Sequence, residues 1–307
     1  MTQTRVVADP IDIGNVAQPP FVRLPDLTTL FDRRANRLAV VSSGNPLGDY
    51  LEFVAALTRT QAAVLHRLPA GTMPGPEQIA FHHESKLPIV DRLTWRRDPS
   101  WRAALDGVLD GLAPATMPEA ARVAAAGLRD LDASRREELA DRVLGVEPAV
   151  AEPAMACFVG AALQVYWTRM AALVEPDAVR PVEPVGTCPV CGSTPIASIV
   201  YAEGSLQGVR FLCCPLCASE WHSVRIKCAN CQSTKGIAYH HIAEQSPAMK
   251  AETCDECRTY TKILYMDKDP QAEPFADDLA TVALDILVGE AGWARATPNP
   301  FLIPAAA

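Results

Sequence analysis

The chain has 307 residues, 49% of them hydrophobic and 21% charged, a length and balance that suit more than one soluble domain with a sizeable core. Its formal charge of −8 argues against a nucleic-acid partner, which would call for a basic face. Residues 1–14 hold one arginine, two aspartates and no apolar run, so no secretory signal is expected there.

Residues 26–42 set Leu27, Leu30, Phe31, Leu38 and Val41 on one helical stripe, which Ser43-Gly44 ends. Asn45-Pro46 opens the next helix, with Asn as N-cap and Pro at the first helical position. That helix carries Tyr50, Leu51, Val54, Leu57, Val64, Leu65 and Leu68 at helical spacing until Pro69 stops it. Residues 71–88 read as a loop containing Pro and Gly, followed by helices over 101–112 and 118–131. Ser134-Arg135-Arg136-Glu137 reads as a capping box that opens a fifth helix. The apolar stretch 151–174 would span ~36 Å as a helix, enough for a bilayer. Arg169, Gln164 and Glu152 interrupt it and much of its apolarity is alanine, so the expectation is a buried sixth helix and no membrane span.

Past the prolines Pro176, Pro181 and Pro184 the period changes. Residues 196–201, 209–213, 236–240 and 259–265 are short runs rich in β-branched and aromatic side chains, with turn residues at 202–205 and 207–208. Residues 277–290 return to helical spacing with Leu279, Val282, Ile286 and Leu287 on one face, and 299–304 read as an extended tail. The expected fold is therefore multi-domain. An all-α N-terminal domain with a short unstructured leader (1–184) precedes two tandem β-rich units of rubredoxin-like or zinc-ribbon type (185–226 and 227–270). A C-terminal helix and tail follow (271–307).

The chemistry lies in the cysteines, nine of whose ten lie beyond residue 180. Eight form four Cys-x-x-Cys pairs: Cys188/Cys191, Cys214/Cys217, Cys228/Cys231 and Cys254/Cys257. Cys191 to Cys214 encloses 22 residues, as does Cys231 to Cys254, and each ligand position recurs 40 residues later. A two-residue spacer lets one tight turn present both sulfurs of a pair, and a second pair one hairpin away completes a tetrahedral four-thiolate site. Pro189 and Pro215 pre-set such turns, and Gly192 supplies the left-handed position after the first pair. The eight cysteines are thus the expected ligands of two metal ions, one per repeat, in closed sites that serve structure or electron transfer rather than hydrolysis. Small ribbons also use metal simply as a staple. Disulfides are the other reading, disfavoured in a chain of cytoplasmic character. Tetrahedral sulfur suits zinc and single iron alike. Cys213 and Cys157 are expected to be packing residues, and His222, His240, His241 and the His82-His83-Glu84 run to be non-ligands.

Several motifs together resemble the family of formate dehydrogenase accessory proteins, FdhE. They are Asp32-Arg33-Arg34-Ala35-Asn36-Arg37-Leu38, Asn45-Pro46-Leu47-Gly48-Asp49-Tyr50-Leu51 and Cys188-Pro189-Val190-Cys191-Gly192-Ser193. Glu220-Trp221-His222 after Cys217, Lys250-Ala251-Glu252 before Cys254, and Asn299-Pro300-Phe301-Leu302 complete the set. The resemblance implies a cytoplasmic, non-enzymatic factor for maturing respiratory formate dehydrogenases, with the enzyme's catalytic subunit as partner. It favours iron in rubredoxin-type sites, with zinc as the alternative, and implies no catalytic residue. Two further functions stay open: electron transfer during client maturation, and a nucleic-acid-binding zinc ribbon. The last is disfavoured because residues 186–270 carry eight Lys and Arg against eight Asp and Glu.

Overall fold

The structure, a computed structural model, describes residues 19–69, 71–145, 153–243 and 248–302. The expected leader up to residue 18, and Ile303 and Pro304 of the tail, lie outside the described residues.

The chain enters on a two-residue strand, β1 (Val22–Arg23), and a turn in which the Asp26 carboxylate accepts from the Thr28 amide and the Thr28 and Thr29 hydroxyls. Helix α1 (Leu30–Ser42) and helix α2 (Gly48–Leu65) follow and pack on each other. Asn45 does cap, but a separate turn: its side chain accepts from the Leu47 amide at 2.9 Å, and the helix proper starts at Gly48. Residues 71–88 are more than a loop. Pro76–Glu84 forms α3, with Pro76 in its first turn and the Gln78 side chain accepting from the Gly75 amide at 3.3 Å. None of its residues is buried, so it has no apolar stripe by which the sequence could announce it.

Helices α4 (Ser100–Gly111), α5 (Glu119–Asp130) and α6 (Ala133–Gly145) gather around α7 (Pro153–Ala172). The expected capping box of α6 does not form. Asp132 takes the capping role by accepting from the Arg135 amide at 2.9 Å. Glu137 instead accepts from Arg97 at 2.8 Å and from the Trp101 ring N–H at 2.7 Å. A Cβ on Gly107 or Gly111 would come within 2.8 Å of Val64 or 2.9 Å of Thr60, so both glycines permit the close approach of α4 to α2. Helix α7 is buried on nearly every side, with Phe158 and Trp167 wholly inaccessible, as its continuous apolarity requires. Among the described residues no helix is long and apolar enough to cross a membrane.

The β-rich part comprises β2 (Ala197–Val200), β3 (Arg210–Cys213), β4 (Glu220–His222), β5 (Ile237–His240), β6 (Met249–Cys254) and β7 (Thr259–Tyr265). Each cysteine repeat contributes three antiparallel strands, β2-β3-β4 and β5-β6-β7. Parallel pairing of β2 with β7, from Ala197 opposite Lys262 to Val200 opposite Tyr265, fuses them into one sheet. Strand β1 extends one edge through Val22 opposite Trp221, and β8 (Ala294–Arg295) pairs with β7.

The expected C-terminal helix is two, α8 (Pro274–Ala280) and α9 (Val282–Glu290), broken at Thr281. The Thr281 hydroxyl donates to the Asp277 carbonyl at 2.7 Å, and the break re-phases the helix. Leu284 and Val288 are buried in place of Ile286 and Leu287, which face solvent. The tail is a turn, not an extended segment: the Leu302 amide donates to the Asn299 carbonyl at 2.9 Å and Phe301 is buried.

Helical and β-rich parts are tied by buried polar contacts. Arg34 of α1 donates to Glu273 at 3.0 Å, and Arg37 reaches Asp269 and Asp277. Asn45 donates to the Ala280 carbonyl at 2.9 Å, and the Tyr50 hydroxyl donates to the Phe301 carbonyl. The N-terminal motifs thus act as anchors for the C-terminal segment.

Candidate metal centres

Each Cys-x-x-Cys pair sits at a turn that leads into or joins strands. Cys188/Cys191 precede β2, Cys214/Cys217 link β3 to β4, Cys228/Cys231 precede β5, and Cys254/Cys257 link β6 to β7. The turns share one backbone design. The residue after each second cysteine is left-handed: Gly192 at φ 75°, Ala218 at 56°, Gln232 at 64° and Arg258 at 54°. Three of the four lack the glycine that this conformation favours, at a cost of roughly 1–2 kcal/mol each. At three of the turns the amide of the first cysteine donates across to the residue five places on, Cys188 to Ser193, Cys214 to Ser219 and Cys228 to Ser233, at 2.8, 3.0 and 2.8 Å.

The fold brings the eight sulfurs into two groups. Cys188, Cys191, Cys214 and Cys217 form the first; Cys228, Cys231, Cys254 and Cys257 form the second; within each, the sulfurs lie within 4.8 Å of one another. Nearest sulfur pairs in the first group are 3.5 Å (Cys188–Cys217) and 3.4 Å (Cys191–Cys214) apart. In the second they are 3.7 Å (Cys228–Cys257) and 3.6 Å (Cys231–Cys254). All ten cysteines are free, and these separations far exceed the about 2.05 Å of a disulfide. They approach the edge of a tetrahedron of metal–sulfur bonds about 2.3 Å long, which is about 3.8 Å.

Backbone and side-chain donors surround the sulfurs. Cys214 accepts from the amides of Leu216 and Cys217 at 3.4 and 3.3 Å, and Cys228 accepts from those of Asn230 and Cys231 at 3.4 Å each. Such N–H groups stabilise thiolate charge. Burial works against the Cys214 thiolate, yet hydrogen bonds from its three cysteine neighbours and the Cys217 amide outweigh it and hold that thiol well below its ordinary range. Burial likewise opposes Cys257, where the Thr259 hydroxyl and amide prevail and hold the thiol down to about 6. Burial dominates at Cys228 and pushes it up to about 12.

The surroundings of the two groups differ. All four cysteines of the first are buried. Its first turn is covered by residues 89–92, whose Val90 and Arg92 amides donate to the Val190 and Cys191 carbonyls at 2.9 Å each. The Trp167 ring N–H of α7 donates to the Val90 carbonyl at 3.0 Å and fixes that segment. Gln164 donates to the Pro215 carbonyl at 2.8 Å and accepts from Gln61 at 2.9 Å, so the helical core grips the second turn as well. In the second group Cys231 is exposed and Cys257 half-buried.

Cys213 belongs to neither group; it faces Ala197 and Glu220 in the sheet, and burial pushes its thiol well above the ordinary range. Cys157 is buried in α7. His222 and His240 lie on strands outside both groups, and His240 contacts the Thr253 hydroxyl at 3.1 Å. Sequence reasoning missed two features. A hydroxyl residue stands two places after every pair (Ser193, Ser219, Ser233, Thr259), a pattern visible in the sequence. The cover from residues 89–92 and α7 leaves no local signal, because it arises between segments far apart in sequence that meet only in the folded chain.

Comparison with known proteins covers nearly the whole length. Three family models match in succession: "FdhE, N-terminal" over residues 19–184, "FdhE, central domain" over 187–225 and "FdhE, C-terminal domain" over 226–302. The chain is 39% identical over 287 residues to a protein named FdhE homolog from Cronobacter sakazakii, spanning 93% of this chain and 92% of that one. It is 40% identical to the homolog from Serratia proteamaculans over the same shares. The crystal structure of the FdhE protein from Pseudomonas aeruginosa matches with a TM-score of 0.83 and 36% identity, across 94% of this chain and all of that one.

Proposed function

The chain belongs to the FdhE family, and from that premise we propose that it is a cytoplasmic, non-enzymatic assembly factor for the catalytic subunit of a formate dehydrogenase, carrying two metal ions on eight cysteine ligands. Cys188, Cys191, Cys214 and Cys217 hold one ion, and Cys228, Cys231, Cys254 and Cys257 hold the other. The observation that carries this reading is the completeness of each sulfur group: four converging thiolates fill a tetrahedron and leave no protein position for substrate. The metal then supplies rigidity, keeping the hairpin turns and the shared sheet in the shape that a client meets.

One observation favours electron transfer as a second reading. The second group reaches the surface at Cys231, and an iron ion held there would lie near enough to solvent to exchange electrons with a partner. Iron is the metal favoured by the family, with zinc as the alternative.

Anaerobic purification with metal analysis and visible absorption tests both readings. Two ions per chain are expected; a coloured protein speaks for ferric sulfur sites and a colourless zinc-loaded one for a structural role. Capture of the purified catalytic subunit by the metal-loaded chain, with loss of capture after chelation, supports the assembly role. Equal capture by loaded and stripped chains would remove the cysteine sites from recognition.

A further inference from the structure

The four hydroxyl residues that follow the cysteine pairs are not used alike. Three lie against the sulfur of the preceding cysteine: Ser193 on Cys191 at 3.3 Å, Ser219 on Cys217 at 3.2 Å and Thr259 on Cys257 at 3.0 Å. The fourth is diverted. The Ser233 hydroxyl accepts from the Lys235 amide at 3.0 Å and lies 3.5 Å from the Lys235 carbonyl. The sulfur without such a hydroxyl contact is that of Cys231, the exposed cysteine among the ten.

Donors reach the other three sulfurs of the second group. Cys228 has the Asn230 and Cys231 amides, Cys254 the Cys257 and Glu256 amides, and Cys257 the Thr259 hydroxyl. The Cys231 sulfur lies 3.6 Å from that of Cys254 and also against the sulfurs of Cys228 and Cys257, on the exposed residue of the group. A hydrogen bond to a thiolate occupies a lone pair and draws off charge, while burial denies an outside reagent its approach. Cys231 lacks the burial, and the hydroxyl that follows its pair is turned to Lys235.

We propose that Cys231 is the labile ligand of the second sulfur group, the one thiolate that an outside electrophile attacks while the metal is bound, and the one whose departure opens a coordination position. The other seven sulfurs are shielded by burial, by a donor, or by both. The inference rests on the reading that the second group holds a metal. It gives the two sites different chemistry from identical spacing: a closed first site, and a second that can exchange its fourth ligand with a thiol or chelator from outside.

Iodoacetamide applied to the metal-loaded full chain tests this. The Cys231 sulfur attacks the reagent's methylene carbon, an S–C bond forms, the C–I bond breaks and iodide leaves. Metal content is measured first, so a chain with fewer than two ions overturns the underlying metal reading before alkylation begins. With two ions bound, peptide mass spectrometry is expected to find Cys231 modified roughly tenfold faster than any other cysteine, with release of one ion and retention of the second. Thr259→Val, which strips the hydroxyl from Cys257, is expected to raise modification at Cys257 several-fold. Ser233→Ala is expected to leave the Cys231 rate unchanged, because that hydroxyl serves Lys235. First modification at Cys257 or in the first group, equal rates at all ligands, or a changed Cys231 rate in Ser233→Ala would each overturn the proposal.

Discussion

In the first cysteine group every ligand is buried, Val90 and Arg92 bond to the carbonyls of one turn, and Gln164 of α7 bonds to the other. In the second group, built on the same spacing 40 residues later, Cys231 faces solvent and, among the described residues, no helix of the N-terminal part supplies a comparable grip. The difference teaches that ligand spacing specifies the sulfur tetrahedron but not its environment. The first group sits where the sheet meets the helical core. The second lies toward the β5 edge of the same sheet, on the far side of the β2–β7 seam from β3. Burial and donor supply follow from that position, and with them the expected rigidity of one site and accessibility of the other.

The largest test of this contrast is to remove one ligand from each group. Cys188→Ser should lose about one ion and also loosen the helical part, because its turn carries the cover from residues 89–92. We expect a fall on the order of 3–5 kcal/mol, or about 10 °C in the melting temperature followed by helical circular dichroism. Cys254→Ser should also lose one ion but shift the helical melt by less than about 1 kcal/mol, since its surroundings belong to the sheet edge. Equal shifts in the two variants would erase the contrast.

Gln164→Leu sharpens it without touching a ligand. The substitution leaves the Pro215 carbonyl without its donor and the Gln61 amide with only its bond to the Ala161 carbonyl, both in buried positions. A loss of about 1–3 kcal/mol is expected in urea unfolding. Faster release of the first-site ion to a chelator, with the second unaffected, is the accompanying sign.

A smaller effect is expected at the left-handed positions. Gly192→Ala would put a Cβ 2.8 Å from the Asp91 carboxylate and 3.2 Å from Pro88 at φ +75°, so about 1–2 kcal/mol should be lost. Gln232→Gly, at φ 64° in the second group, should relieve backbone strain and change stability by less than about 1 kcal/mol, after loss of its side-chain bonds to the Cys228 and Ala229 carbonyls. Thermal melts of the two variants compare a crowded turn with an open one. The smallest effect belongs to Cys213→Ser, which should leave the metal content at two, since that sulfur lies outside both groups. A fall to one ion would mean that Cys213 replaces Cys214 as a ligand.

The sequence was enough to define the change from helical to β period after the prolines, the burial of α7, and the membership of the two sulfur groups. These are local matters: periodicity records which face of an element meets the core, and a two-residue spacer dictates how one turn presents its sulfurs. It misled where local signal was weak or misplaced. Helix α3 has no buried face, Ser134 lost its cap to Asp132, and the break at Thr281 turned Ile286 and Leu287 outward. What only the folded chain decided are contacts between distant segments. The parallel seam of β2 and β7 joins two repeats into one sheet, and Arg34, Asn45 and Tyr50 hold α8 and the final turn from more than 230 residues away. The same long-range packing set residues 89–92 over one cysteine turn and left Cys231 bare. A repeat carries its ligand geometry within its own residues, whereas the dielectric and the donors around it come from whatever the rest of the chain places there.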